Sequence, residues 1–207
     1  MSGFRRGSSP TPSSKCRSPS CPPPALIGTS EAVEPAPSLA DLARRFAPAK
    51  VSRAPARFDP DELAAVNAKL LHGLSFEAVA GRLSALGVGG GEPFWLAVRD
   101  NCALLPEALG WWRVVTGAFA AAPVAPGDEE LMRRAHDLLP AEPWDRATFS
   151  TWLGRLKAET GRTGRALFQP VRRALTGLDH GPELAALLPL IGRSSTLARL
   201  AASHPVR

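Results

Sequence analysis

The chain has 207 residues, of which 44% are hydrophobic, and 25 basic against 19 acidic side chains give a net charge of +6 at pH 7. No run approaches the roughly 18 consecutive apolar residues that a membrane span needs. Three cysteines, an odd number, argue against a disulfide framework and for a reducing cytoplasm. Tyrosine is absent and strand-forming residues are sparse beside alanine and leucine, so the composition predicts an all-α protein.

The first 24 residues contain seven Ser and six Pro and nearly no apolar side chains. Such a segment buries too little surface to offset the entropy of ordering, so residues 1–25 are predicted to form a disordered tail. The tail carries four basic and no acidic residues, which leaves the rest of the chain only weakly basic. Cys16 and Cys21 have no further metal ligands nearby, so no metal site is predicted there.

The remainder shows apolar residues at helical spacing and no useful run of alternating ones, so helices and no sheet are predicted. Asp59-Pro60-Asp61-Glu62 is typical of a helix start, and Gly177 is well placed just after a helix end. Trp111 and Trp112 are predicted to pack between helices rather than to stack on a base. The predicted helices begin near Ser38, Asp59, Ser75, Pro93, Pro106, Asp128, Asp145 or Thr148, Arg165, Glu183 and Thr196.

The best interior linker runs from Ala120 to Gly127 and contains two prolines. It divides the helices into two groups, each with its own apolar positions. The sequence therefore predicts two small helical bundles, at residues 26–119 and 128–207, joined by residues 120–127 and preceded by the tail.

The most informative stretch lies between Arg155 and Arg173, where six basic residues accompany a single acid. At 100° per residue, the helix from Arg165 has an apolar back and a cationic, hydrogen-bonding front. The planar guanidinium suits phosphates and base edges, although a charge run is more often only a solvated face. The predicted front holds Arg165, Gln169, Arg172 and Arg173, and the back Leu167, Phe168, Val171 and Leu175.

Two stretches resemble one family. The first, Gly161 to Gly177 (GRTGRALFQPVRRALTG), is similar to the C-terminal signature of bacterial glutamyl-tRNA synthetases: Gly-x-x-Gly, apolar residues, Pro-hydrophobic-Arg, Ala-Leu-Thr-Gly. His180-Gly-Pro-Glu183 and Leu190-Ile-Gly-Arg193 continue the pattern. Upstream, Phe46 to Asp59 (FAPAKVSRAPARFD) is similar to the family's Phe-x-x-x-x-Val-Ser-Lys-Ser-Pro-Ala-x-Phe-Asp. The resemblance covers residues 26–202.

This resemblance implies helices that grip the anticodon stem and loop of a tRNA. The bundle at 26–119 would hold the end of the stem-contact region and a first anticodon-binding subdomain, and the bundle at 128–207 a second. Loop bases are read through hydrogen bonds to their edges and stacking on planar groups. The residues expected to contact tRNA are Arg165, Arg172, Arg173, Gln169 and Arg162 in the second subdomain, and Arg99, Lys50, Arg53 and Arg57 in the first.

The family is a class I ligase that activates glutamate with ATP through His-Ile-Gly-His and Lys-Met-Ser-Lys-Ser motifs. Neither motif occurs in the 207 residues. We therefore expect a chain without the catalytic domain, inactive alone, with no catalytic residue, metal or cofactor of its own. A truncated or frame-disrupted gene, or a mis-assigned start, is the hypothesis for this arrangement.

The function expected from the sequence is a cytoplasmic, monomeric tRNA-binding fragment that recognises the anticodon, with tRNA-Glu as the first choice of partner. The choice between tRNA-Glu and tRNA-Gln stays open, since it depends on the placement of a few side chains. The alternative is a helical protein-interaction or regulatory domain that reuses the same bundle and binds no RNA.

Overall fold

The computed structural model describes residues 38–51, 60–118 and 125–203, and over these residues it is helical without strands. The all-α prediction is therefore confirmed. Residues 1–25, Arg53, Arg57 and most of the predicted linker lie outside the described residues. The helices are α1 (Leu39–Arg45), α2 (Pro60–His72), α3 (Phe76–Ala85), α4 (Gly91–Val98), α5 (Ala108–Thr116), α6 (Glu129–Asp137), α7 (Arg146–Thr160), α8 (Arg165–Thr176), α9 (Leu184–Ile191) and α10 (Arg193–Ala202).

The chain separates into two compact units, Met1–Val66 and Asn67–Arg207. In the first unit, α1 begins as predicted after Ser38, whose hydroxyl accepts a hydrogen bond from the Asp41 backbone N–H at 3.1 Å. A short 3₁₀ helix, Pro48–Lys50, follows α1 in this unit.

The second unit is organised around one hydrophobic core that includes side chains from Leu71 to Leu200. Trp95 and Trp152 are fully buried, and each indole N–H is satisfied by a backbone carbonyl at 3.0 Å, of Leu74 and of Ala135. The core draws on helices from both sides of residues 120–127. A division into two bundles at that stretch stays a prediction.

Several helix ends follow the start and stop signals of the sequence. Asp145, rather than Thr148, caps α7. Its carboxylate accepts a hydrogen bond from the Thr148 backbone N–H at 2.9 Å, and the Thr148 hydroxyl accepts one from the Asp145 backbone N–H at 3.0 Å, which completes a capping box. Gly177 ends α8 in the left-handed conformation, with φ of 73°. Pro170 lies inside α8.

The helix predicted from Pro93 to Leu105 is shorter in the structure. The α-helix ends at Val98, a single 3₁₀ turn covers Arg99–Asn101, and Cys102 and Leu104 are extended. Pro106 lies in the first turn of another 3₁₀ helix, Leu105–Glu107, so α5 starts at Ala108 rather than at Pro106. Pro106 has no backbone N–H to donate to a preceding turn, so it suits the first turn of a new helical segment, and helical spacing of apolar residues carries no signal for such a break.

Candidate nucleic-acid interface

Helix α8 turns an apolar side to the core, as predicted. Leu167, Val171 and Leu175 are buried, and Phe168 packs edge-on against Phe149 with ring centroids 6.1 Å apart. The opposite side faces a cleft of about 450 Å³ between α8, α6 and the turn that precedes α8. The residues lining this cleft are Ala125, Asp128, Met132, Arg162, Arg165, Ala166, Gln169, Pro170, Arg173 and Ala174.

Arg165 is the cation most available to a ligand of this cleft. Its side chain is exposed, and among the described residues its guanidinium forms no hydrogen bond or ion pair. Arg162, by contrast, is half-buried and committed: one Nη donates to the Asp128 carboxylate and the other to the Gly127 carbonyl. Arg162 therefore stabilises one side of the cleft, whereas the guanidinium of Arg165 lines the cleft with its N–H donors unused.

The loop of residues 178–182, called here the α8–α9 loop, lies against the C-terminal half of α8. The Gln169 amide donates to the Asp179 backbone carbonyl at 3.0 Å and to its carboxylate at 2.6 Å, and Arg173 Nε donates to the same carboxylate. The hydrogen bonds from Arg173 and then from Gln169 lower the pKa of Asp179 to about 2. A carboxylate that is ionised at neutral pH thus stands beside two of the predicted binding residues.

Arg172 does not lie on the exposed front, so this expectation from the helical wheel is wrong. Its side chain is buried, 5% exposed, with Nη2 donating to the Pro182 carbonyl at 2.9 Å and the guanidinium 5.1 Å from the centre of the Phe168 ring. The reason is that the α8–α9 loop folds back across this side of the helix, which a wheel cannot represent. Burial lowers the Arg172 pKa.

One amino group of the buried Arg172 guanidinium has no hydrogen-bond partner. Its Nη1 is inaccessible to solvent and has no hydrogen-bond partner among the described residues. A buried N–H without an acceptor costs free energy, about 1–3 kcal/mol for a typical group, so such atoms often mark a place that a ligand or water completes.

The other predicted residues lie elsewhere. Arg99 sits in the 3₁₀ turn after α4, 3.7 Å from the Asp100 carboxylate, and does not line the cleft. Lys50 is exposed at the end of the 3₁₀ helix of the first unit. Arg53 and Arg57 are outside the described residues. The structure thus brings together Arg162, Arg165, Gln169 and Arg173 of the nine predicted residues.

Sequence reasoning missed two acidic members of the site, Asp128 and Asp179. Asp128 was read as the start of α6, and its pairing with Arg162, 34 positions away, leaves no trace in local spacing. Asp179 lies two residues after Gly177, where the segment that carries the resemblance ends, and was not singled out. No three His, Cys, Asp or Glu side chains converge on a metal-sized site in the part of the chain that the structure describes. None of the helices described there is long and apolar enough to cross a membrane.

Comparison with known proteins gives this cleft a context. Residues 117–203 match the family model described as an anticodon binding domain. Glutamate–tRNA ligase 2 of Xanthobacter autotrophicus is 54% identical over 175 residues, 84% of this chain and 38% of that protein. Glutamate–tRNA ligase 2 of a Methylobacterium species is 54% identical over 177 residues, 84% of this chain and 39% of that protein. The chain spans about two fifths of the length of these relatives.

Solved structures agree at the level of fold. The crystal structure of a glutamate tRNA ligase from Elizabethkingia meningosepticum, in complex with its amino acid, superposes with a TM-score of 0.70 at 19% identity, over 86% of this chain and 39% of that one. Glutamate–tRNA synthetase from Elizabethkingia anophelis gives 0.67 at 18% identity, over 86% and 38%. The chain therefore belongs to the glutamate–tRNA ligase family, of which it corresponds to the C-terminal, anticodon-binding part.

Proposed function

We propose that this chain binds tRNA at the anticodon through the cleft beside α8, and that it does so as an RNA-binding module without ligase activity of its own. The observation that carries the proposal is the unpaired Arg165 at an open cleft, next to Arg173 and Gln169, inside the segment that matches an anticodon binding domain. An Arg with no protein partner offers its full donor fork to a phosphate or a base edge.

The charges around the cleft favour one orientation of the RNA. Asp179 is ionised and accepts hydrogen bonds, so it attracts the amino groups of an unstacked base and repels phosphate. Arg165 has no such acid bonded to it and attracts phosphate. We propose that the backbone of the anticodon loop runs past Arg165 while base edges approach Asp179, Gln169 and Arg173.

The buried Arg172 is proposed to read a base rather than a phosphate. Its unpartnered Nη1 carries two N–H donors, and only a group that enters the packed region between Phe168 and the α8–α9 loop can reach them. Because Nη1 is closed to solvent, an unstacked base would reach it as the α8–α9 loop moves off α8, and single-stranded loops expose such bases. In this role Arg172 both anchors Pro182 and recognises RNA.

The relatives are glutamate–tRNA ligases, and we propose tRNA-Glu as the partner, a monomer as the binding species and the cytoplasm as the compartment. Lys50, Arg53, Arg57 and Arg99 are proposed to contact the tRNA backbone in a first subdomain, because phosphate contacts supply affinity without reading sequence. Glutamate and ATP would be used by the full-length ligases only.

The experiment is a salt series of tRNA-Glu binding to the wild type, Arg165→Ala and the matched control Arg155→Ala. Arg155 is an exposed arginine of α7 outside the cleft, so both variants lose one charge. We expect Arg165→Ala to weaken binding and to lower the magnitude of the salt slope by about one unit, with a smaller effect at Arg155. A wild type that does not bind tRNA-Glu at moderate salt would instead favour a helical protein-interaction domain.

A further inference from the structure

An aromatic ring of α5, that of Trp111, also confines the α8–α9 loop. Gly181 has φ of 136°, and a Cβ built on it would lie 2.8 Å from Cζ3 of Trp111 and closer still to Cη2. A real Cβ does not approach other atoms so closely, so the loop can keep this position only with glycine there or with the ring displaced.

Trp111 is not free to move aside. It is half-buried against the hydrophobic core, and its indole N–H donates to the Asn101 carbonyl at 3.4 Å. The side of the loop that faces α8 is held by the bonds already described, from Gln169 and Arg173 to Asp179 and from Arg172 to Pro182. Gly181 lies between these two anchors.

A second contact holds α5 to α8. Arg199 of α10 donates through Nη2 to the carbonyls of Val114 and Val115, each at 2.8 Å, and through Nη1 to the carbonyl of Leu175 at 2.6 Å. These carbonyls belong to the last turns of α5 and α8, where the helix dipoles favour a cation. Trp111 is therefore carried by a helix whose end is fixed relative to the end of α8.

We propose that Trp111 is a positioning residue: by its contact with Gly181 it sets the place of the α8–α9 loop, and through that loop the arrangement of Asp179 and Arg172 at the RNA site, without touching RNA itself. This inference rests on the proposed function for its consequence in RNA binding. The placement of the loop, however, is a property of the free protein and is measurable without RNA.

The experiment is a double-mutant cycle of Gly181→Ala and Trp111→Leu. Gly87→Ala is the matched control, because Gly87 also has a positive φ, 75°, but a Cβ there meets no atom within 4 Å. Each variant is first checked for helicity and thermal unfolding. Loop position is then read from the carboxyl chemical shift of Asp179 between about pH 5 and pH 3, and RNA binding from the Kd for tRNA-Glu.

In the wild type the Asp179 carboxyl should stay ionised over this range, because its pKa is held at about 2. In Gly181→Ala and in Trp111→Leu the loop moves, the bonds from Arg173 and Gln169 loosen, and a titration step should enter the range. Binding of tRNA-Glu should weaken about tenfold in Gly181→Ala, because Asp179 and Arg172 then leave the arrangement that the RNA contacts. Gly87→Ala should change neither the Asp179 chemical shift nor the Kd. The loss of affinity in the double variant should be smaller than the product of the losses in the two single variants.

Three other outcomes are distinct. If Gly181→Ala and Trp111→Leu leave Asp179 ionised down to pH 3, Trp111 does not position the loop and the inference is overturned. If Trp111→Leu weakens tRNA binding while the Asp179 shift stays at its wild-type value, Trp111 instead stacks on a base. If the wild type fails to bind tRNA-Glu but the Asp179 shifts change as expected, the proposed function fails and the role of Trp111 in the loop stands.

Discussion

At the scale of single residues, the site depends on which arginines are already engaged. Arg162 bonds Asp128, Arg173 bonds Asp179 and Arg172 bonds Pro182, while Arg165 forms no hydrogen bond or ion pair among the described residues and acts on Asp179 only through its charge. The Arg173–Asp179 ion pair is exposed and adds little to stability, whereas the Arg172 hydrogen bond is buried. The importance of the three contacts is geometric, because each fixes the direction of a donor fork that would otherwise sample many rotamers.

The Asp179 contacts predict a pH dependence. The folded-state pKa of about 2 lies below the usual 3.8, so ionised Asp179 stabilises the fold above about pH 4, and this contribution is lost as the pH falls toward 2. The thermal midpoint of the wild type should therefore decrease more steeply between pH 4 and pH 2 than that of Asp179→Asn, which cannot ionise. Parallel curves for the two proteins would contradict the Arg173–Asp179 bond.

Cys102 should be chemically inert in the folded protein. Its side chain is 1% exposed, and burial first and the nearby Glu107 second raise its pKa to about 12. At pH 8 the thiolate is then about one part in ten thousand, and the thiolate is the reactive form. In a Cys16→Ser/Cys21→Ser variant, a thiol reagent should label the native chain very slowly and the chain unfolded in guanidinium completely. Rapid labelling of the native chain would show that this core region opens readily.

At the scale of the element, α8 separates stability from binding. Its buried side carries Leu167, Val171 and Leu175, and its exposed side carries Arg165 and Arg173. The helical wheel predicted both sides from the sequence, because the 100° repeat is a property of the backbone itself. It failed at Arg172, because a loop from outside the helix decides which surface of the last turns remains open.

Substitutions on the two sides of α8 should therefore differ in kind. Leu175→Ala removes a fully buried side chain and should lower the free energy of unfolding by about 2–5 kcal/mol through cavity formation. Arg165→Ala removes an exposed side chain and should change it by less than about 0.5 kcal/mol. Urea denaturation followed by circular dichroism measures both. Equal losses at the two positions would mean that the assignment of buried and exposed sides is wrong.

At the scale of the whole molecule, the sequence predicted the helical class, most helix starts and the family, since each rests on local spacing or on a contiguous motif. The sequence did not predict the helix breaks at the 3₁₀ turns around Arg99 and Leu105, because the apolar spacing continues across them. The sequence also did not predict the ion pair of Asp128 with Arg162 or the contact of Gly181 with Trp111, since both join residues far apart in the chain.

The 207-residue chain on its own should not catalyse the activation of glutamate. It contains no His-Ile-Gly-His or Lys-Met-Ser-Lys-Ser motif. Purified chain supplied with ATP, glutamate and tRNA should show no exchange of pyrophosphate above the blank, while a full-length relative assayed in parallel should. Exchange that persists through purification and scales with the amount of chain would refute an RNA-binding module without ligase activity.

The guanidinium of Arg199 also links the local unfolding of two helix ends. One side chain bonds carbonyls in the last turn of α5 and in the last turn of α8, so neither helix end can fray without breaking its bonds to Arg199. Arg199 is half-buried, and burial lowers its pKa to about 10. The two ends should accordingly open as one cooperative unit. Amide protons in the last turns of α5 and α8 should then exchange with deuterium at matching free energies of opening, and lose that match together in Arg199→Met.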